Sequence, residues 1–240
     1  MSFDPYEFDR GYTSVQGDTL GQYTAKTFLW MLLGLLVTFA VAIGCWVTDA
    51  PLYLYYSGSL QAVNLGVLIA TLVLAFTMSA RIQKMRVGTA VATFVVFSAL
   101  FGFTLSIYLY IYELIVLAFC FLLTAVYFGA LAAYGFLTKR DLSNIWTILI
   151  SGTVFLVIFG LLSMFIPGLQ MFDRVICLIG IATFLGWTAY DTQKIKAYYS
   201  FYSASPGMLA KASIFSALQL YLDFINLFLY LLRFLGNKRR

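Results

Sequence analysis

Two aspartates lie inside apolar segments of the chain: Asp191 in Gly186-Trp-Thr-Ala-Tyr-Asp-Thr-Gln-Lys194, and Asp223 in Leu220-Tyr-Leu-Asp-Phe-Ile-Asn-Leu-Phe-Leu-Tyr230. A carboxylate at the centre of a membrane helix costs about 2.5–3.5 kcal/mol, so it usually faces a partner or a water-filled path. Counted from Ile214, Asp223 lies about 13 Å into its segment, near the midplane of a hydrocarbon core about 30 Å thick. Two carboxylates in one low-dielectric site do not ionise together easily. They share a single proton, or they take up a hard cation through oxygen ligands. The chemistry open to Asp191 and Asp223 is therefore proton sensing or transient Ca²⁺ binding. The competing structural reading makes Asp191 an interfacial partner of Lys194 or Lys196, and Asp223 a hydrogen-bonding group that only holds helices together.

Asp223 is one member of a polar stripe. Ser216, Gln219, Asp223, Asn226, Tyr230 and Arg233 follow at spacings of 3, 4, 3, 4 and 3 residues, so they share one helix face. Such a stripe is expected to point at protein or water and not at lipid. Gln219, Asn226 and Arg233 are then supporting groups of the acidic site.

The elements that must position these residues are membrane helices. Hydrophobic residues make up 62% of the 240 and charged residues 10%, against about 25% charged in a soluble domain. Seven apolar stretches are expected to span: Thr27–Val47, Leu60–Ala80, Val87–Leu109, Leu114–Phe136, Ile145–Ile166, Val175–Asp191 and Ala212–Leu235. The fold class is an all-α integral membrane protein. Residues 1–25 read as a polar cytoplasmic tail, 26–236 as the seven-helix transmembrane domain and 237–240 as a basic tail. Pro51, Pro167 and Pro206 fall in connections. The chain contains no histidine, which excludes Ser-His-Asp and Cys-His catalysis and histidine-held metals or haem. Cys45, Cys120 and Cys177 are isolated in apolar segments and read as core residues.

Basic residues set the orientation. Arg10, Lys26, Arg81, Lys84, Arg86, Lys139, Arg140, Lys194, Lys196 and Lys211 fall on one side, against Arg174 on the other. The N-terminus is therefore expected in the cytoplasm. Seven full crossings leave Arg233, Lys238, Arg239 and Arg240 outside, against this trend. A re-entrant last segment is the alternative.

Three segments resemble a known family. They are Thr188-Ala-Tyr-Asp-Thr-Gln-Lys-Ile-Lys196, Leu220-Tyr-Leu-Asp-Phe-Ile-Asn-Leu-Phe228 with Leu231-Leu-Arg-Phe-Leu-Gly236, and Thr138-Lys-Arg-Asp-Leu-Ser143. They resemble the Bax inhibitor family, also called the transmembrane Bax-inhibitor-motif proteins, and most of all its bacterial inner-membrane members. The resemblance implies a bundle in which the last helix is central and surrounded by the other six. It also implies a pH-sensitive calcium leak controlled by an aspartate pair, which falls on Asp191 and Asp223. A latching arginine of the family falls on Arg81. Some relatives carry a further acid in the second span, where Leu60–Ala80 has none.

The reading is thus of a proton-sensitive cation leak that is not an enzyme and has no cofactor, with Ca²⁺ as the permeant ion. The expected partners are lipid, Ca²⁺ and protons, with no nucleic acid, and the expected location is a bacterial inner membrane. The alternative is a non-conducting protein that modulates a membrane protease or a stress pathway through a membrane-protein partner. An intramembrane aspartyl protease is disfavoured, because Tyr221-Leu-Asp223 replaces the Gly-x-Gly-Asp of that class and no Pro-Ala-Leu follows. A retinal protein would need a Schiff-base lysine inside the last span, and there is none.

Overall fold

The computed structural model describes residues 18–82, 84–166 and 168–236. The terminal tails with Arg10, Lys238, Arg239 and Arg240 lie outside the described residues, as does Pro167. The helices are α1 (Leu20–Val47), α2 (Ala50–Tyr56), α3 (Leu60–Arg81), α4 (Val87–Ile111), α5 (Leu114–Leu137), α6 (Trp146–Phe165), α7 (Asp173–Tyr202) and α8 (Pro206–Leu235). All but α2 are long and apolar enough to cross a membrane.

Local sequence explains several helix ends. Thr19 caps α1, with its side chain and that of Gln22 forming a reciprocal capping box. This starts the first helix seven residues before the expected Thr27. Pro206 opens α8, where its missing N–H has no helical partner to lose. The short α2 was not foreseen. Its Tyr53, Tyr55 and Tyr56 are exposed, as suits amphipathic rings at a headgroup interface.

Inside the bundle, several threonine hydroxyls are satisfied within their own helices. Thr124 donates to the carbonyl of Cys120 at 2.7 Å, and Thr188 donates to that of Phe184 at 2.8 Å. This bonding lets a hydroxyl sit in an apolar interior without an unmet donor.

α8 is the core of the bundle. In its most apolar window 67% of residues are buried, against 11–39% for the other spans. Its principal neighbours are α7, α1, α5 and α4. The expected ring of six is therefore corrected to four, with α3 outside α4 and α6 outside α7. Only 11% of the windows of α3 and α6 is buried, so both present most of their surface to lipid.

The re-entrant alternative for the last segment is not what the fold shows. α8 is one continuous 30-residue helix, about 45 Å long and more than enough to cross the core. Arg233 in its last turn pairs through two nitrogens with Asp173, the first residue of α7. Gly236 sits against the Tyr112 ring at the α4–α5 connection. The C-terminal end of α8 thus lies on the face opposite the start of α1, and Asp173 offsets the arginine charge there.

The crossing pattern has a direct test. In a cysteine-free background, cysteines at the exposed Ser143 and Ser203 should react with an impermeant reagent from one face only. A cysteine at the exposed Met171 should react from the other face only, and labelling of all three from one face would overturn the seven-crossing topology.

Candidate functional site

α7 and α8 are antiparallel neighbours, and their register follows from two ring contacts. Phe184 stacks on Tyr230 at 5.8 Å, and Tyr198 meets Phe215 at 6.3 Å. Asp191 lies seven residues after Phe184 and Asp223 seven before Tyr230 (191 − 184 = 7; 230 − 223 = 7). Each is about 10 Å along its helix from that shared level, so the two carboxylates stand at one height. Both are 5% exposed.

Asp191 is not at the end of its helix, as the expected boundary of the sixth span implied. α7 continues through Lys194 and Lys196 to Tyr202, because the polar residues after Asp191 extend the helix beyond the apolar layer. Neither lysine forms an ion pair with Asp191 among the described residues. The Lys194 ammonium lies over the rings of Tyr190 and Tyr198, at 5.6 and 5.4 Å. Lys196 donates to the carbonyl of Phe136. The interfacial reading of Asp191 thus has no direct ion pair among the described residues.

Asp191 Oδ1 and Asp223 Oδ2 are buried with no hydrogen-bond partner among the described residues. A buried ionised oxygen left in this way costs several kcal/mol, and protonation removes that cost. No cluster of three or more histidine, cysteine or carboxylate groups forms among the described residues. Two carboxylates supply fewer oxygens than the six to eight of a storage-type Ca²⁺ site. The arrangement suits proton exchange or brief cation contact better than a resident metal.

The stripe on α8 divides by depth. Ser216 and Asp223 are buried, Gln219, Asn226 and Tyr230 are half-buried, and Arg233 is exposed. The Asn226 amide donates to the Leu222 carbonyl of its own helix at 2.8 Å. Arg233 is held at the membrane face by Asp173 and does not reach the aspartates. Arg81 is exposed in the last turn of α3, which packs mainly on α4, and it makes no ion pair among the described residues.

Two supporting residues escaped the sequence reading. Tyr221, fully buried, shares a 2.7 Å hydroxyl contact with Thr38, which in turn donates to the Ser98 carbonyl at 3.0 Å. This ties α1, α4 and α8 together two residues from Asp223. Gln193 accepts from the Leu142 amide at 2.9 Å and donates to the Arg140 carbonyl at 2.7 Å, clipping the α5–α6 connection onto α7. In that connection the backbone N–H and hydroxyl of Ser143 hold the Asp141 carboxyl below its usual range. Tyr221 was hidden among 17 tyrosines; an amide two residues after Asp191 was the available signal for Gln193.

Seven membrane-length helices, one of them the buried central α8, define an all-α integral membrane protein that sits in a lipid bilayer. The chain belongs to the family described as Inhibitor of apoptosis-promoting Bax1, whose model matches residues 20–240. This bears out the resemblance read from the three segments. The chain is similar to Inner membrane protein YbhL of Escherichia coli strain K12, 38% identical over 221 residues, or 92% of this chain and 93% of the relative. An uncharacterized protein of Rickettsia prowazekii is 35% identical over 220 residues, covering 92% and 91% of the two chains. One from Borreliella burgdorferi is 34% identical over 218 residues, covering 91% and 93%.

Proposed function

We propose that this chain is a pH-sensitive cation leak of the membrane, passing Ca²⁺, in which Asp191 and Asp223 act as one proton- and cation-binding site. One observation carries the reading. Two buried carboxylates stand level on adjoining antiparallel helices, each with an oxygen that lacks a partner. A shared proton satisfies both oxygens, and a divalent cation displaces it only when both groups are ionised. We place the N-terminus in the cytoplasm, on the strength of the basic residues that cluster on that face. We place the chain in the bacterial cytoplasmic (inner) membrane, by similarity to Inner membrane protein YbhL.

Purified protein in liposomes loaded with a Ca²⁺ indicator tests the reading. Ca²⁺ entry well above that of protein-free vesicles is expected. Flux equal to the empty vesicles would leave the non-conducting modulator as the better account.

Arg81 has a place in this scheme as a latch. α3 is the outermost span beside α4, and an inward shift of its end would carry the guanidinium toward the acidic site. Arg81→Ala is therefore expected to raise basal Ca²⁺ leak several-fold, more than Arg86→Ala or Lys84→Ala. Equal effects of the three substitutions would remove the latch and leave Arg81 as a headgroup anchor.

A further inference from the structure

α1 and α5 both pack on α8 but share no broad contact of their own. Between them lies a cleft of about 550 Å³ that opens sideways, with Thr24, Phe28 and Leu35 on one wall and Phe128, Gly129 and Phe136 on the other. From Thr24 to Leu35 it runs about 16 Å along the helix, close to half of a hydrocarbon core about 30 Å thick. The cleft thus has the length of one leaflet, on the face that holds the start of α1.

Its two ends differ. The deep end is wholly apolar, with Phe128 resting on Phe224 at 5.5 Å. The shallow end carries the single polar side chain of the lining, Thr24. There the Thr24 hydroxyl is buried with no hydrogen-bond partner among the described residues. The Lys196 ammonium sits 5.2 Å from the centre of the Phe136 ring. One of its three N–H groups goes to the Phe136 carbonyl, which leaves two donors for a ligand. Exposed Lys139 and Arg140 follow on the segment leaving α5, and exposed Lys26 lies two residues beyond Thr24. Asp18 pairs with Lys26, and Asp141 neighbours Arg140 in sequence. Lys196 is thus the basic group in contact with the cleft wall, and Lys139 and Arg140 are its basic neighbours in sequence from Phe136.

We propose that the α1–α5 cleft is a binding site for an anionic glycerophospholipid, with one acyl chain between the helices and its phosphate held at Lys196. An apolar slot of leaflet depth with a basic rim at headgroup level matches such a lipid in both parts. A zwitterionic lipid can fill the slot but gains less from Lys196 and its basic neighbours.

The test uses the full chain in neutral detergent and follows its thermal unfolding midpoint during titration with phosphatidylglycerol or phosphatidylcholine of identical chains. Phosphatidylglycerol is expected to raise the midpoint at lower concentrations than phosphatidylcholine. Lys196→Gln should raise the half-maximal phosphatidylglycerol concentration about fivefold, the worth of one basic group near an anionic headgroup. Gly129→Leu should abolish the preference without lowering the lipid-free midpoint, because a Cβ at Gly129 meets nothing within 4 Å and the longer side chain fills the slot. Glycerol 3-phosphate, which has the phosphate and no acyl chain, should produce no shift. Equal responses of the wild type to the two lipids would overturn the proposal. So would a preference that survives in Gly129→Leu, or a shift by glycerol 3-phosphate that equals the lipid's.

Discussion

Asp223→Asn is expected to flatten the pH dependence of Ca²⁺ entry into liposomes, and Asp191→Asn should do the same. If protons and Ca²⁺ compete for one site in the wild type, as proposed, the Ca²⁺ concentration for half-maximal flux should rise as pH is lowered from 8 to 5. The sign follows from charge. Calcium needs both carboxylates ionised, and each proton taken up removes one of its ligand charges. Displacement of a single proton weakens apparent affinity by up to about tenfold per pH unit over the range in which the pair is protonated. An asparagine keeps the shape but cannot ionise, so each single variant should lose the shared proton and give a flattened profile with weak Ca²⁺ dependence. The double variant should resemble either single one, as expected for groups that act as a unit. Additive losses would show two independent sites. An unchanged profile in Asp223→Asn would return that residue to a purely structural role.

Gly135→Val should be the most damaging substitution outside the acidic site. A Cβ on Gly135 would stand 2.2 Å from the carbonyl oxygen of Ala189 and 2.9 Å from its carbonyl carbon. Both are backbone atoms of α7, so no side-chain rotation relieves the clash and the two helices must separate. Overpacking of this kind costs about 1–3 kcal/mol where side chains yield, and a rigid backbone contact belongs at or beyond the upper end. Ala189 is two residues from Asp191, so the separation should also disturb the acidic site. Thermal denaturation in detergent should show a clear fall in midpoint for Gly135→Val, and a smaller fall for Gly135→Ala. Gly66→Ala is the control: its Cβ meets nothing within 4 Å, and alanine favours the helix. A Gly135→Val midpoint equal to that of the wild type would show that α5 and α7 are not in this close contact.

The sequence by itself determined the class of the protein, its membrane spans, its family and the residues most able to do chemistry. Those features depend on local composition. A long apolar run spans a bilayer whatever its neighbours, and an acid within such a run is costly wherever the helix packs. The 3-and-4 spacing put Ser216, Asp223 and Tyr230 on one face of α8 before any contact was known, because helical periodicity is also local. Tertiary structure decided what depends on pairing between distant segments. The level register of Asp191 and Asp223 rests on Phe184 meeting Tyr230, and one apolar sequence admits many such registers. Lys194 and Lys196 suggested the end of a span at Asp191, yet they lie on ring faces and on the Phe136 carbonyl while α7 runs on. Only packing could show that Arg233 has an acidic partner 60 residues away in Asp173, which answers for Arg233 the charge objection to a full seventh crossing. The burial of Tyr221 against Thr38 is likewise invisible in a chain with 17 tyrosines. An aromatic hydroxyl becomes structural or interfacial according to the neighbour that the fold supplies.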